Sequence, residues 1–475
     1  MRISMLPFPC GRFRTVVPRR VERRHGGALV LLALLFVGIL GACTRAPIST
    51  PGAIRGAATE PVPVDCAVAL VPHRGDAPVD AQIRQYQREA IDQPSPNTKR
   101  YTAWIERLGW AYVSASRVHQ DEGFLTLAEQ AGGCLQALAA PSRSHPAELL
   151  LGHAYHQQHR FHEAERMARA LVATRGHWYD HGLLGDVLLD VGKLEGARIA
   201  YQRLADLRPG PQAYQRAGEL RWMLGDVMGA REMLTRAVNS LRTGDPHVLG
   251  AVAVRLAELQ WQLADQAAAL RTLDALTALN ARLPSADYLR GRILLSAGEA
   301  SAASPYLRRA AEASELPAHR WALVDALREA GEVTRVQEQA LLSSLVDRRT
   351  QALFLATHGR DVERALALAE AELTARRDPL TLYAAAFAAL QASDLERASR
   401  YADEADAFEI REARACLHGA LLSERLGKAR RLAKQWSCAR TYEHMLLPSE
   451  RLLFDRLQTR QHSVARAEIE ANRRP

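Results

Sequence analysis

Residues 148–168 read ELLLGHAYHQQHRFHEAERMA, residues 181–201 read HGLLGDVLLDVGKLEGARIAY, and residues 214–234 read YQRAGELRWMLGDVMGAREML. Stacked at a period of 33 residues, the runs agree. Leu151-Gly152, Leu184-Gly185 and Ala217-Gly218 share one register, and Ala164, Ala197 and Ala230 fall twelve residues after the glycines. Next come Ala168, Tyr201 and Leu234, then Leu171, Leu204 and Ala237. Each unit within 148–240 therefore predicts two helices. The first carries a Gly where a neighbouring backbone must come close. A short turn follows, His159-Arg160 in one unit and Val191-Gly192-Lys193 in the next. The second helix brings pairs such as Ala164/Ala168 and Ala197/Tyr201 onto one face at i, i+4 spacing. No single hairpin buries that face, so the units must stack, each covering its neighbour. Pro209 and Pro211 stand where the chain stops and turns after the middle unit.

A period of about 33–34 residues with this alternation of small and large residues resembles the tetratricopeptide repeat. The resemblance implies an all-α fold. It would be an α-solenoid of about nine or ten such hairpins, filling residues 80–458 and forming a right-handed superhelix. Outward from the clear units, helices are predicted at 80–92, at 101–119 with its partner 123–139, where Gly132-Gly133 should loosen the second, and at 248–262 and 266–278 beyond an insertion near 242–246. The pair 288–296 and 302–313 follows, with Pro305 expected in the first turn, where its missing N–H costs little. The match is weakest at 318–346, with short helices at 320–330 and 333–344. It recovers at 350–357 with 361–375 and at 380–392 with 394–407, and a last hairpin pairs 410–426 with 428–439. Residues 448–458 are expected to cap the array before a polar tail at 459–475.

A length of 475 residues would suggest about three domains, but a solenoid grows by repetition and escapes that prior. Hydrophobic residues at 48% with aromatics at only 6% suit closely packed Ala/Leu hairpins. The net charge of +9 is concentrated at the amino terminus, where residues 1–42 hold seven Arg and one Glu; without them 55 basic residues face 52 acidic ones. That balance gives no electrostatic case for nucleic acid as a partner. Residues 1–42 read as an export signal. Basic residues (Arg12, Arg14, Arg19, Arg20, Arg23, Arg24) precede an apolar run at 28–40 that is short for a bilayer span. The run ends in Leu40-Gly41-Ala42-Cys43, which looks like the lipobox of bacterial lipoproteins. That resemblance implies cleavage before Cys43, lipidation of its thiol, and stable anchoring by several acyl chains. Thr44 follows; an Asp in that place holds enterobacterial lipoproteins at the inner membrane, so Thr implies an outer-membrane protein facing the periplasm. Residues 43–79, rich in Pro, Ala, Gly and Thr, read as a flexible tether.

Of six cysteines, Cys10 lies in the signal and Cys43 is the lipid site, leaving Cys66, Cys134, Cys416 and Cys438. Their even number suits an exported, disulfide-permissive setting. Cys416 and Cys438 lie eleven residues either side of Gly427, the expected turn of the last hairpin, so their side chains should come level and bridge. Two buried free thiols are the alternative. Cys66–Cys134 would then pin the tether to the first repeat. No spacing resembles a zinc site.

His153, His156, His159 and His162 recur every third residue, and imidazoles so spaced can bind Zn, Cu or Ni. Only the first two share a helix face and no fourth ligand is specified, so a metal site is the minor reading. His162-Glu163-Ala164-Glu165-Arg166 lacks the second His of a zinc protease; the Gly-Lys pairs at 192–193 and 427–428 lack the rest of a phosphate-binding loop; no G-x-S-x-G is present. No enzymatic activity and no cofactor are expected. In tetratricopeptide arrays the first helices line a concave groove. The groove positions implied by that resemblance fall on His153, His156, Gln157, Tyr179, Asp186, Asp190, Gln215, Glu219, Trp222, Glu258, Trp261, Tyr288 and Arg292. With Trp222 and Trp261 as rungs among carboxylates, the groove would be acidic and suited to an extended or helical peptide carrying basic and apolar side chains. The expected function is a lipid-anchored, periplasmic scaffold for protein or peptide partners in envelope assembly or export. An accessory subunit of exopolysaccharide export and a metal-binding protein are the alternatives. Oligomeric state is not legible.

Overall fold

Among the described residues, one residue in the left-handed backbone region follows the first helix at most of the helix-to-helix turns. His159, Gly192, Gly225, Ala264, Gly298, Gly331, Gly359, Ser393 and Gly427 all have φ between 58° and 82°. Most are Gly, which has no Cβ and takes this conformation without the steric cost that other residues bear. The structure is a computed structural model that describes residues 64–471, apart from 94, 96–97, 120, 242–245, 279–282, 315 and 333–346. The signal segment 1–42, Cys43, tether residues 44–63, nearly all of the insertion at 242–246 and the helix expected at 333–344 lie outside the described residues.

The elements are α1 (Val64–Ala69), α2 (Pro78–Ile91), α3 (Lys99–His119), α4 (Gly123–Ala139), α5 (His145–Gln157), α6 (Phe161–Thr174), α7 (Trp178–Asp190), α8 (Leu194–Leu207), α9 (Pro211–Met223), α10 (Val227–Leu241) and α11 (Pro246–Gln262). They continue as α12 (Gln266–Ala278), α13 (Pro284–Ser296), α14 (Ala300–Glu312), α15 (Pro317–Glu329), α16 (Arg348–Thr357), α17 (Val362–Ala375), α18 (Pro379–Gln391), α19 (Leu395–Ala405), α20 (Ala413–Arg425), α21 (Ala429–Thr441) and α22 (Pro448–Ala471), with a 3-10 turn at Glu443–Met445 before the last. Among the described residues there is no strand, and no helix is long and apolar enough to cross a membrane. Helices pack in consecutive antiparallel pairs, α3–α4 through α13–α14 and α16–α17 through α20–α21, and first helices touch first helices of the next pair. The chain from α3 onward is an all-α solenoid of helical hairpins with the tetratricopeptide-like register. Proline opens many first helices (Pro211, Pro284, Pro317, Pro379), where its missing N–H has no helical partner to lose.

The 33-residue register is the core. Ala164, Ala197 and Ala230 are all 0% exposed, and the next two sets of register positions are buried with them. The register glycines answer to side chains rather than to a neighbouring backbone: a Cβ at Gly152 would lie 2.7 Å from Leu183 of the next first helix, at Gly218 3.0 Å from Leu234, and at Gly185 2.3 Å from the Tyr201 ring.

Two boundaries and two positions inside helices differ from the sequence reading. The segment 64–79, expected as tether, is folded: α1 packs on α4, and Cys66 and Ala69 are fully buried. Tyr112 ties it down, its hydroxyl donating to the Ala69 carbonyl (2.6 Å) and accepting from Gln87 Nε2 (3.0 Å). Gly132-Gly133 does not break α4, because these positions admit Leu151 and the Asp65 side chain against the helix. Pro305 lies beyond the first turn, since α14 starts at Ala300, and it is exposed, on the outer side of the helix. The polar tail is helical as far as Ala471, continuing α22.

The array closes on itself. A Cβ at Gly192, in the α7–α8 turn, would lie 2.7 Å from the Arg377 carbonyl just before α18, and one at Gly225 would collide with the Glu409 carbonyl before α20. Gln262 Nε2 donates to the Arg411 carbonyl at 2.5 Å, and Arg292 Nη2 to the Met445 carbonyl at 2.6 Å. One buried cluster accordingly joins α11–α13 (Trp261, Leu273, Ile293) to α20–α22 (Cys416, Leu417, Phe454, Leu457).

Candidate partner-binding face

The first helices α5, α7, α9 and α11 carry one polar position immediately after each register residue: His153, Asp186, Glu219 and Glu258. Each carboxylate there meets an arginine standing two residues before a register residue. Asp186 takes Arg216 of α9 through both oxygens (Nε 2.8 Å, Nη2 2.7 Å) and accepts from the Tyr201 hydroxyl at 2.9 Å. Glu219 takes Arg255 Nε of α11 at 3.0 and 3.1 Å, and Arg255 Nη1 donates to Glu258 at 2.6 Å. Bidentate pairs of this kind fix register as well as charge. Burial works against the charge on Asp186, but Arg216 outweighs it and holds the carboxyl below its usual range. Burial likewise opposes the charge of Arg255, and Glu219 and Glu258 more than restore it.

The aromatic positions are committed in the same way. The Arg255 guanidinium lies over the Trp222 ring at 4.4 Å, while Trp222 Nε1 donates to Gln262 at 3.0 Å. Arg292 lies over Trp261 at 5.1 Å and over Tyr288 at 5.6 Å, and Tyr288 packs on His319. Trp261 is 1% exposed, with the His444 ring edge-on at 5.9 Å, so it is an internal packing residue and not a rung open to a ligand. Arg292 is spent on the Met445 carbonyl. The expected acidic groove is corrected on both counts. Asp186 and Glu219 are paired with an arginine one hairpin further on, Glu258 with Arg255 on its own helix and Asp190 with His156 one hairpin earlier, and beyond α11 the chain's own α20–α22 covers the first helices. What remains half-exposed runs from α5 to α11: His153, His156, Gln157, Tyr179, Asp186, Asp190, Gln215, Glu219, Trp222 and Glu258.

At the α5 end, His156 Nε2 lies 2.8 Å from Asp190 Oδ2; burial disfavours its charge, but the Asp190 contact prevails and raises its pKa. His153 is held neutral, its pKa pushed down to about 3 by burial, and sits edge-on to Trp110 at 5.2 Å. Tyr179 pairs with His177 Nδ1 at 3.0 Å under the Arg175 guanidinium. His159 turns away at φ 58° to stack on Phe161, and His162 is exposed, so the four imidazoles do not converge. No group of three or more His, Cys, Asp or Glu among the described residues is placed to hold a metal. The structure joins Cys416 to Cys438 across α20 and α21 (Cα–Cα 5.6 Å) and Cys66 to Cys134 between α1 and α4 (4.7 Å).

Arg216 and Arg255 escaped the sequence reading, although a signal existed. Both stand two residues before a register residue, Gly218 and Ala257, on the helix following a carboxylate that stands one residue after one. No protein-family model matches the sequence, and neither does any curated protein. Among solved structures, the chain is similar to a tetratricopeptide repeat protein from Parabacteroides merdae ATCC 43184, at 13% identity and TM-score 0.37 over 56% of this chain and 91% of that one. It is also similar to yeast Tom70, at 13% identity and TM-score 0.33 over 81% of this chain and 92% of that one.

Proposed function

We propose that the chain is a scaffold for protein or peptide partners, anchored in a bacterial outer membrane by lipid on Cys43 and working from the periplasmic side in envelope assembly or export. The observation that supports it best is the continuous half-exposed row on α5, α7, α9 and α11, where side chains from four successive hairpins lie on one surface. Because the charges of this row are already paired, a partner gains little from net charge. Its affinity comes from shape, from the exposed parts of Trp222 and Tyr179, and from hydrogen bonds to Gln157 and Gln215. Binding therefore depends weakly on salt.

A photo-crosslinking residue at Gln215 tests the face, with one at Met228 as control; Met228 is 56% exposed on the second helix α10. In envelopes, partners are captured from position 215 and not from 228; equal capture from both positions would remove the assignment. Incorporation of labelled palmitate, lost in Cys43→Ser, tests the anchor separately.

A further inference from the structure

We propose that the exposed side of α21 docks on an anionic phospholipid surface, so that the array lies against the membrane; the proposal rests on the lipid anchor at Cys43 inferred above. The exposed residues of α21 are three cations, Arg430, Lys434 and Arg440, and otherwise small residues such as Ala433 and Ser437. At 3.6 residues per turn they share one side of the helix. Arg430, Lys434 and Arg440 make no hydrogen bond or ion pair among the described residues. The cations on the inner flank are engaged. Arg431 holds Asp403 at 2.8 Å and Asp406 at 2.9 Å, and Lys428, just before the helix, lies 3.4 Å from Asp403. The acids of the neighbouring α20 and 3-10 turn are also taken, Glu424 by Arg460 at 2.7 Å and Glu443 by Arg451 at 3.6 Å.

This bias is local. Without residues 1–42 the chain has 55 basic residues against 52 acidic ones. The second helices α6, α8, α10, α12, α14, α17 and α19 each carry both signs. α21 carries four cations and no acid. Its small residues let a flat array of phosphates approach the cations. Its one large aromatic, Trp436, is turned inward to stack on Phe454 at 4.7 Å, so this side offers no apolar anchor of the kind a protein partner would use. Near an anionic membrane each Lys or Arg raises binding about fivefold, and three together by about a hundredfold. That contact is weak alone. The chain between Cys43 and Val64 can span at most about 70 Å, however, so the anchor makes docking an intramolecular event.

Crosslinking to lipid tests this. A diazirine residue replaces Ser437, or Met228 of α10 as control, in the full chain reconstituted into phosphatidylcholine vesicles with and without phosphatidylglycerol. Phospholipid is captured from position 437 and not from 228, at least tenfold more when phosphatidylglycerol is present. The triple variant Arg430→Gln, Lys434→Gln, Arg440→Gln lowers the yield tenfold or more with the melting temperature unchanged. Salt at about 1 M does the same, because the screening length falls to about 3 Å. Equal capture from both positions, capture indifferent to phosphatidylglycerol, or an undiminished triple variant overturns the proposal. So does an acidic protein, in place of lipid, captured from 437 in envelopes. A chain that takes up no palmitate yet still crosslinks phosphatidylglycerol from 437 refutes the anchor alone; a palmitate-labelled chain without that crosslink refutes the docking alone.

Discussion

His319 and Asp325 sit on one helix, α15, at 3% and 1% exposure, and burial pushes their pKa values in opposite directions. His319 falls from 6.5 to about 4 because the imidazolium would lose its hydration, although the Ala310 carbonyl at 3.2 Å partly offsets this. The unfolded chain takes up a proton near pH 6.5 that the folded chain refuses. The stability contributed by neutral His319 is therefore present above 6.5 and lost as pH falls toward 4, at about 1.4 kcal/mol per pH unit. Asp325 rises from 3.8 to about 7, first through burial, against the hydrogen bonds from Ser449. Here the folded chain holds the proton longer, so its contribution is present below pH 3.8 and lost as pH rises toward 7. Unfolding by urea at pH 5 and pH 6.5 separates the two. His319→Gln removes an acid-side loss, Asp325→Asn removes a loss on the alkaline side, and the two changes in slope have opposite signs. Slopes shifting in the same direction would mean that one of these burials is misjudged.

The last hairpin is the element where a covalent tie matters most. In a stacked array stability comes from neighbours, and this hairpin packs on α18 within the stack and on α11–α13 and α22 across the closure, so its own opening has to work against those contacts as well as the bridge. Cys416–Cys438 closes a loop of 22 residues across α20 and α21, which lowers the entropy of the unfolded hairpin by an amount equivalent to about 3 kcal/mol. His418 stacks on Phe387 with ring centroids 3.8 Å apart, coupling α20 to α18, and burial holds this imidazole neutral. Replacing both cysteines by alanine should raise amide hydrogen exchange in α20 and α21 by about a hundredfold, because opening of that hairpin no longer works against the loop constraint. Exchange in α7 and α8 should stay unchanged. An increase spread evenly over both regions would show that the array opens as one unit.

At the scale of the whole molecule, what the sequence revealed and what it hid divide along one line. The 33-residue register was legible because Ala164, Ala197 and Ala230 each face the same kind of neighbour, one hairpin away. The Cys416–Cys438 pair was legible because its geometry is local to one turn. Trp222 and Trp261 hold matching register positions, yet one is half-exposed and the other is 1% exposed. What separates them is His444 and Met445, some hundred and eighty residues further on, and no local pattern carries that distance. Small rotations between successive hairpins add up over the array and bring late links onto early turns. Gly192 isolates this closure. It and Gly298 occupy equivalent turns with nearly equal φ, 80° and 82°, so alanine costs each about 1–2 kcal/mol in backbone strain. Around Gly298 nothing lies within 4 Å of an added Cβ, whereas at Gly192 the Cβ meets the Arg377 carbonyl at 2.7 Å and the Asp378 Cα at 3.2 Å. Those are backbone atoms and cannot rotate aside. Asp378 also caps α18, accepting from the Leu380 and Thr381 amides at 3.0 and 3.2 Å. Gly192→Ala therefore has to open the seam, and the amides of Leu380 and Thr381 lose protection against hydrogen exchange while those of α7 keep theirs. Gly298→Ala lowers stability by the strain alone and leaves α18 protected. Equal protection of α18 in the two variants would mean that the early turns and the late links do not bear on one another.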